Sequence, residues 1–240
     1  MNNFFAFEPG SNQFQVFSLN HILPMLLIIV GVILIYRYRV QLRNSKHEKT
    51  IRYGLAILAI ITEVGFQVWQ MVHGRWDFAE SLPLHLCRLT NYLGIYVMFT
   101  KDKRVFEIAY FWSLAGVVSV LFPDILHGPD RYRYYHFMLS HILFFFNFMY
   151  LLFVSELPLT FRSFKKSFIS LFLLATVVII PINNIFNVNY MYLLYPADTP
   201  FSIFEGYGYF IYLVGCIGLV MIVITLWYLP IHFYNKRFKQ

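Results

Sequence analysis

Eleven consecutive residues, Ser81-Leu82-Pro83-Leu84-His85-Leu86-Cys87-Arg88-Leu89-Thr90-Asn91, set an imidazole, a thiol, a guanidinium and an amide into a run that is otherwise apolar. A thiol becomes a nucleophile when a nearby cation stabilises its thiolate or a base removes its proton. Arg88 can do the first, and His85 or a histidine from the segment holding His136 and His141 can do the second. Cys87, His85, His136 and His141 are therefore the candidate catalytic groups. Cys216, alone among glycines and aliphatics, reads as a small packing residue.

These groups have to be positioned by elements of an unusual composition. Of the 240 residues, 59% are hydrophobic and 13% charged, against about 25% charged in a soluble domain. A single all-α membrane domain is the reading this composition favours. Seven runs approach the length needed to cross about 30 Å of hydrocarbon: near 19–37, 53–72, 83–100, 105–123, 135–154, 167–186 and 208–230. Met1 to Ser18 holds no Lys or Arg, unlike the basic start of a cleaved signal peptide, so the first run is read as a retained helix. Fifteen Lys and Arg residues fall after the first, third, fifth and seventh runs, while Arg75, Arg131 and Arg133 fall on the other side. Because cytoplasmic loops carry the basic excess, this predicts seven spans in a cell membrane, N-terminus out and C-terminus in. The net charge of +7 thus orients the chain and does not point to nucleic acid.

Orientation turns scattered polar residues into a pattern. A charged side chain near the bilayer centre costs at least about 2.5–3.5 kcal/mol, so such groups face a cavity or a partner helix. Glu63, Gln67 and Gln70 share a face of the second run. The third brings His85, Cys87, Arg88 and Asn91 to its outer half, the fourth ends at Asp124, and the fifth begins with His136, Ser140 and His141. The sixth delivers Asn183 and Asn187, followed by Tyr190 in a loop, Asn187 to Gly206, whose aromatics and prolines suit a lid at the membrane surface. Spans two to six are thus expected to line one outer cavity. Arg88, Glu63, Gln67, Gln70, Asn91, Asp124, Asn183, Asn187 and Tyr190 are the candidate substrate-binding residues. Each has a plainer alternative: Glu63 with Arg88 as an ion pair between helices, the amides as interhelical hydrogen bonds, Asp124 as a solvated loop residue.

The motifs Leu82-Pro83-Leu84-His85-Leu86-Cys87, Glu107-Ile108-Ala109-Tyr110-Phe111-Trp112-Ser113-Leu114-Ala115-Gly116, Phe122-Pro123-Asp124, His136-Phe137 with Ser140-His141, and Asn189-Tyr190-Met191-Tyr192-Leu193 resemble the YwaF-like bacterial integral membrane proteins. That family is similar to the transmembrane protein 164 family of animals. The resemblance covers roughly residues 50–230 and implies a seven-helix membrane protein. Its animal relatives are understood to move fatty acyl chains between phospholipids through an essential cysteine placed directly before the motif histidine. Here that position is Leu84, and the thiol is Cys87.

Three functions remain open. The first is acyl transfer on membrane lipids, with Cys87 attacking an ester, a histidine shuttling the proton, Asn or Gln amides donating to the oxyanion, and no cofactor or metal. The second is a transporter or receptor that binds a small polar ligand or lipid headgroup in the outer cavity. A third, ranked lower, is a metal-dependent lipid hydrolase. No HExxH run occurs, and His136 and His141 stand about 140° apart on a regular helix. Membrane lipids are the expected partners, and the sequence names no protein partner.

Overall fold

The computed structural model describes residues 4–77, 81–196 and 200–238, with side chains described through residue 233 except at 200 and 201. Among them every regular element is helical: α1 Leu19–Arg37, α2 Arg39–Asn44, α3 Glu48–Val72, α4 Leu86–Thr100, α5 Lys103–Trp112, α6 Leu114–Leu121, α7 Tyr132–Phe153, α8 Phe161–Leu173, α9 Ile180–Phe186 and α10 Tyr209–Phe238. A π-helical turn, Leu174–Ile179, joins α8 to α9. Short 3-10 turns occupy Tyr190–Tyr192 and Pro200–Phe204. Asp198, within the expected outer loop, lies outside the described residues.

Local chemistry marks several boundaries. The Asp102 carboxylate accepts from the Arg104 and Val105 amides at 2.8 and 3.3 Å and starts α5. Thr160 and Ser163 form a reciprocal capping box that starts α8. Lys101 ends α4 in the left-handed region, φ 55°. At Ser113 the chain breaks between α5 and α6, and its hydroxyl donates to the Tyr110 carbonyl at 2.6 Å.

Six helical stretches are long and apolar enough to cross a membrane: Leu19–Arg37, Glu48–Val72, Lys103–Leu121, Tyr132–Phe153, Phe161–Phe186 and Tyr209–Phe233. The stretch expected at 83–100 shortens to α4, whose 15 residues rise only about 22 Å at 1.5 Å each. Pro83 and Leu84 are not helical, and His85 serves as the N-cap of α4. This part of the chain is sheltered by protein, where irregular backbone is tolerated at membrane depth.

Helix α7 is the centre of the bundle and packs against α1, α3, α4 and α6. Phe145, Phe148, Tyr150 and Leu151 are buried on it. Helix α7 comes close to α6 at Gly116, where a Cβ would stand 2.6 Å from the His141 carbonyl oxygen. By contrast, α1, α8 and α10 expose Ile29, Ile33, Ile169, Leu173, Ile222 and Leu226 outward, as lipid-facing surfaces do.

The connections sort into two ends. At one, Arg43 donates to the Phe153 and Val154 carbonyls, Lys101 stands 3.4 Å from Glu48, and Lys166 pairs with Glu107. At the other end, residues of the N-terminal arm lie across the bundle: Phe5 O accepts from Trp69 Nε1 at 2.7 Å, Phe7 O from His127 Nε2 at 2.8 Å, and Phe4 O from the Tyr132 amide at 2.8 Å. The outer loop returns to the same end, where Tyr192 reaches Asp124. Most of the basic clusters therefore lie at the opposite end from the thiol-bearing segment.

Candidate functional site

Beside Tyr192 of the outer loop lies a cavity of about 180 Å³. Its wall repeats the arithmetic of helices. From α7 come Arg133, His136, Phe137, Ser140, His141 and Phe144, a stripe spaced by three, one, three, one and three. From α4 come Cys87, Arg88 and Asn91, with His85 at its N-cap; α3 gives Glu63 and Phe66; α6 and its exit give Ser119, Phe122 and Asp124. Tyr192 closes part of the mouth. Although His136 and His141 diverge on α7, both border the cavity because the exposed stripe is wide and they occupy its two edges.

Hydrogen bonds fix what each imidazole can do. A carbonyl only accepts, so His141 Nδ1, 2.7 Å from Phe137 O, carries the hydrogen and leaves Nε2 with its lone pair. Arginine only donates, so His136 Nδ1, 3.2 Å from Arg133 Nη1, accepts and Nε2 carries the hydrogen. His85 Nδ1 likewise accepts, from the Met191 amide at 3.4 Å. Of the three, His141 is the one arranged as a base at Nε2.

The thiol has a different neighbour from the one expected. Cys87 Sγ lies 3.4 Å from Ser119 Oγ, and no histidine is hydrogen-bonded to it among the described residues. Ser119 follows Gly116 by three residues and so shares its face of α6. Since Gly116 abuts the His141 backbone, Ser119 lies toward the side of α6 that meets α7.

Charge gathers around one ring. The guanidinium carbons of Arg88 and Arg133 each stand 4.7 Å from the Phe66 centroid, and His136 stacks on that ring at 4.2 Å and 9°. Arg88 Nε is 3.9 Å from Glu63 Oε1, a loose version of the expected ion pair, and Arg88 also donates to the Ser81 carbonyl at 2.8 Å. Asn91 is 3% exposed and its Oδ1 has no hydrogen-bond partner, so its amide retains unused hydrogen-bonding capacity within the wall.

The structure thus brings Cys87, His85, His136, His141, Arg88, Glu63, Asn91 and Asp124 together at one cavity. The other expected residues are used elsewhere. Gln67 braces α3, donating to Glu63 and to Ser81 O at 3.1 and 3.0 Å and accepting from Trp76. Gln70 is buried but lies outside the cavity wall. Asn183 clamps the loop: its side chain donates to Tyr190 O at 2.9 Å and accepts from the Tyr190 amide at 2.8 Å. Asn187 is an exposed left-handed residue that ends α9. Tyr190 packs its ring 5.2 Å from that of His85, behind the wall. The sixth span therefore contributes indirectly, by holding the loop that supplies Tyr192.

Arg133 and Ser119 are site residues that sequence reasoning misses. Arg133 enters it only as one of the charges that orient the chain, although a spacing of three from His136 puts the two on one face. Ser119 carries no signal at all. Among the described residues no three His, Cys, Asp or Glu side chains are grouped so as to hold a metal ion.

Comparison with known sequences reaches most of the chain. The sequence profile of the TMEM164 family matches residues 16–228. An uncharacterized protein of Treponema pallidum (strain Nichols) is 30% identical over 101 residues, which is 42% of this chain and 42% of that relative. No solved structure matches.

Proposed function

Because the chain belongs to the TMEM164 family and its polar groups converge within a helical bundle, we propose that it is a membrane-embedded enzyme that transfers acyl chains between lipids. One observation carries this reading: the thiol of Cys87, its Ser119 partner, the amide of Asn91 and the one imidazole with an Nε2 lone pair border the same cavity. In the proposed cycle the Cys87 proton moves to Ser119 Oγ as the Ser119 proton moves to His141 Nε2. The thiolate attacks the ester carbonyl of a donor lipid, forming the S–C bond. Asn91 turns its amide hydrogens toward the oxyanion. The C–O bond then breaks, and the leaving alkoxide takes its proton from His141, giving a lysolipid and a thioester. A lysolipid hydroxyl, deprotonated at His141 Nε2, attacks the thioester; the C–S bond breaks and the proton returns to sulfur. His85, occupied at Nδ1 by the loop, holds the lid.

In this reading the chain crosses the cell membrane seven times, N-terminus out. Helix α4, third in chain order, is the crossing added to the six long helical stretches, short because neighbouring helices enclose it. The basic clusters then lie on the cytoplasmic side and the cavity opens toward the outer leaflet.

The test is transfer of a labelled acyl chain in phospholipid vesicles holding the purified protein and a lysolipid. Cys87→Ala is expected to abolish transfer. His141→Gln is expected to slow it by about 100-fold or more, the usual weight of a general base. Full activity in Cys87→Ala would end the covalent mechanism. The bond from the thiol to Ser119, rather than to an imidazole, favours the second reading, a binding protein without catalysis. Lipid extracts of deletion and wild-type cells separate the two: an altered acyl distribution supports the enzyme, and unchanged lipids with altered solute uptake support binding or transport.

A further inference from the structure

Inward of the cavity the bundle buries an amide that the thiol chemistry does not use. Asn147 of α7 is 0% exposed, and among the described residues neither its Oδ1 nor its Nδ2 has a hydrogen-bond partner. Asn183 shows the ordinary state of such a group: equally buried, it donates to Tyr190 O and accepts from the Tyr190 amide. An amide taken out of water with nothing to bond costs free energy, so a side chain with both ends orphaned requires an explanation. A second orphan lies on a neighbouring helix. Asn91 of α4 is 3% exposed, and its Oδ1 is likewise unpartnered.

Helix arithmetic places the two amides. Asn91 is the innermost α4 residue of the cavity wall, and Asn147 continues the α7 stripe three residues past Phe144, about 4.5 Å further in. Both lie within one turn of a point where the helices meet, since a Cβ on Gly94 would stand 3.0 Å from the Phe148 ring. One turn inward of the wall the neighbouring helices become small: α3 passes from Glu63 to the buried Ala59 and Ala56, and α4 from Asn91 to the buried Gly94. On α7 itself the residues three and four positions from Asn147 are Leu143, Phe144, Tyr150 and Leu151, and Tyr150 commits its hydroxyl to Glu48 O. Apart from Asn91, these side chains are apolar or already engaged. Water fits the need, because it is small enough for a site closed to solvent and it both donates to an Oδ1 and accepts from an Nδ2. We propose that Asn147 and Asn91 hold ordered water in an inward extension of the cavity between α3, α4 and α7. Asn91 follows Cys87 by four residues, so this water lies about one turn of α4 from the thiol. The proposal stands without the acyl-transfer reading, since it uses the two amides alone.

The experiment is nuclear magnetic resonance of the full chain in detergent micelles with isotope-labelled asparagine, reading through-space magnetisation transfer from water to the side-chain amide hydrogens. The Asn147 signal is assigned by its loss in Asn147→Ser, a smaller side chain that keeps a hydroxyl. Strong transfer is expected at Asn147 and little at Asn183, whose amide is bonded to Tyr190. Transfer at Asn147 no greater than at Asn183 overturns the site. Melting temperatures give a second reading. Were Asn147 a dry orphan, Asn147→Leu would remove an unpaired amide and raise the melting temperature. Displacing bound water, and leaving Asn91 Oδ1 unserved, should lower it instead. The double variant Asn147→Leu with Asn91→Leu should then lose less than the sum of the two single losses. Additive losses would remove Asn91 from the site, and a raised melting temperature in Asn147→Leu would overturn the proposal as a whole. Neither result touches the thiol mechanism, which Cys87→Ala tests separately.

Discussion

Removing the Asn183 amide should release the loop that covers the cavity. Asn183 is fully buried and Tyr190 is 1% exposed, and the two bonds between them, 2.8 and 2.9 Å, satisfy both backbone groups of Tyr190. The next two residues of the loop depend on this clamp. Met191 and Tyr192 sit at φ 57° and 54°, a left-handed conformation that costs a non-glycine residue of order 1–3 kcal/mol. Their own anchors include a 3.4 Å bond from the Met191 amide to His85, a 3.2 Å bond from the Tyr192 hydroxyl to Asp124, and a bond from the Tyr212 hydroxyl to Tyr192 O. In Asn183→Ala the Tyr190 N–H and C=O each lose the bond to this side chain, a loss of about 2–4 kcal/mol after relaxation. At 1.4 kcal/mol per factor of ten, hydrogen exchange of the Tyr190 and Met191 amides should accelerate roughly 30- to 700-fold. Asn184→Ala, which removes only an exposed side chain bonded to Ile180 O, is the control and should leave these rates alone. Exchange in Asn183→Ala within about threefold of wild type would show that something other than this clamp holds the loop.

Gly116→Ala would place a methyl group 2.6 Å from the His141 carbonyl oxygen and 2.8 Å from the Phe144 ring. With backbone on one side of the clash it should destabilise the protein by about 1–3 kcal/mol, seen as a lower melting temperature in detergent; an unchanged melting temperature would mean that α6 and α7 are not in contact there. His127 has its pKa lowered from 6.5, chiefly by burial and further by Arg133 and Arg131, against the opposing pull of the Phe7 carbonyl and Glu8. The folded state therefore takes up this proton less readily than the unfolded chain, so its stability is complete above pH about 6.5 and declines below it. Exchange of the amides of residues 4–8, corrected for intrinsic rates, should rise between pH 7.5 and 5.5, and His127→Gln should remove the difference.

Apolar run length foretells the six long helical stretches but overstates the run at 83–100, and the basic clusters foretell which connections share an end, because both follow from the cost of placing polar groups in hydrocarbon. They also foretell that the polar ends of neighbouring helices meet, and that inference alone reaches Cys87, His136 and His141 on two helices of one cavity wall. Other assignments fail where a residue type has a local use that spacing does not reveal. Gln67 shares the face of Glu63, yet its amide is consumed by Glu63, Ser81 and Trp76. Asn183 turns toward the loop instead of the cavity. Ser119 becomes visible only when α4 and α6 are packed, since 32 residues separate it from Cys87. The N-terminal arm has no helical period, and it docks both through backbone carbonyls, which every residue possesses, and through rings such as Phe7, stacked on Trp69 at 4.9 Å.

The π-helical turn at Leu174–Ile179 bears on how this helix tolerates changes in length. A single π turn usually accommodates one residue more than an α-helix would need for the same stretch. Deleting one residue from this turn would let it relax to α-helical winding while α9 keeps its orientation, so Asn183 would still meet Tyr190. Straightening the turn at constant length would instead rotate α9 by about 100° relative to α8 and carry Asn183 out of reach of the loop. A one-residue gap in this stretch of a related chain is thus compatible with an intact clamp, and a related helix of equal length but uniform winding is not.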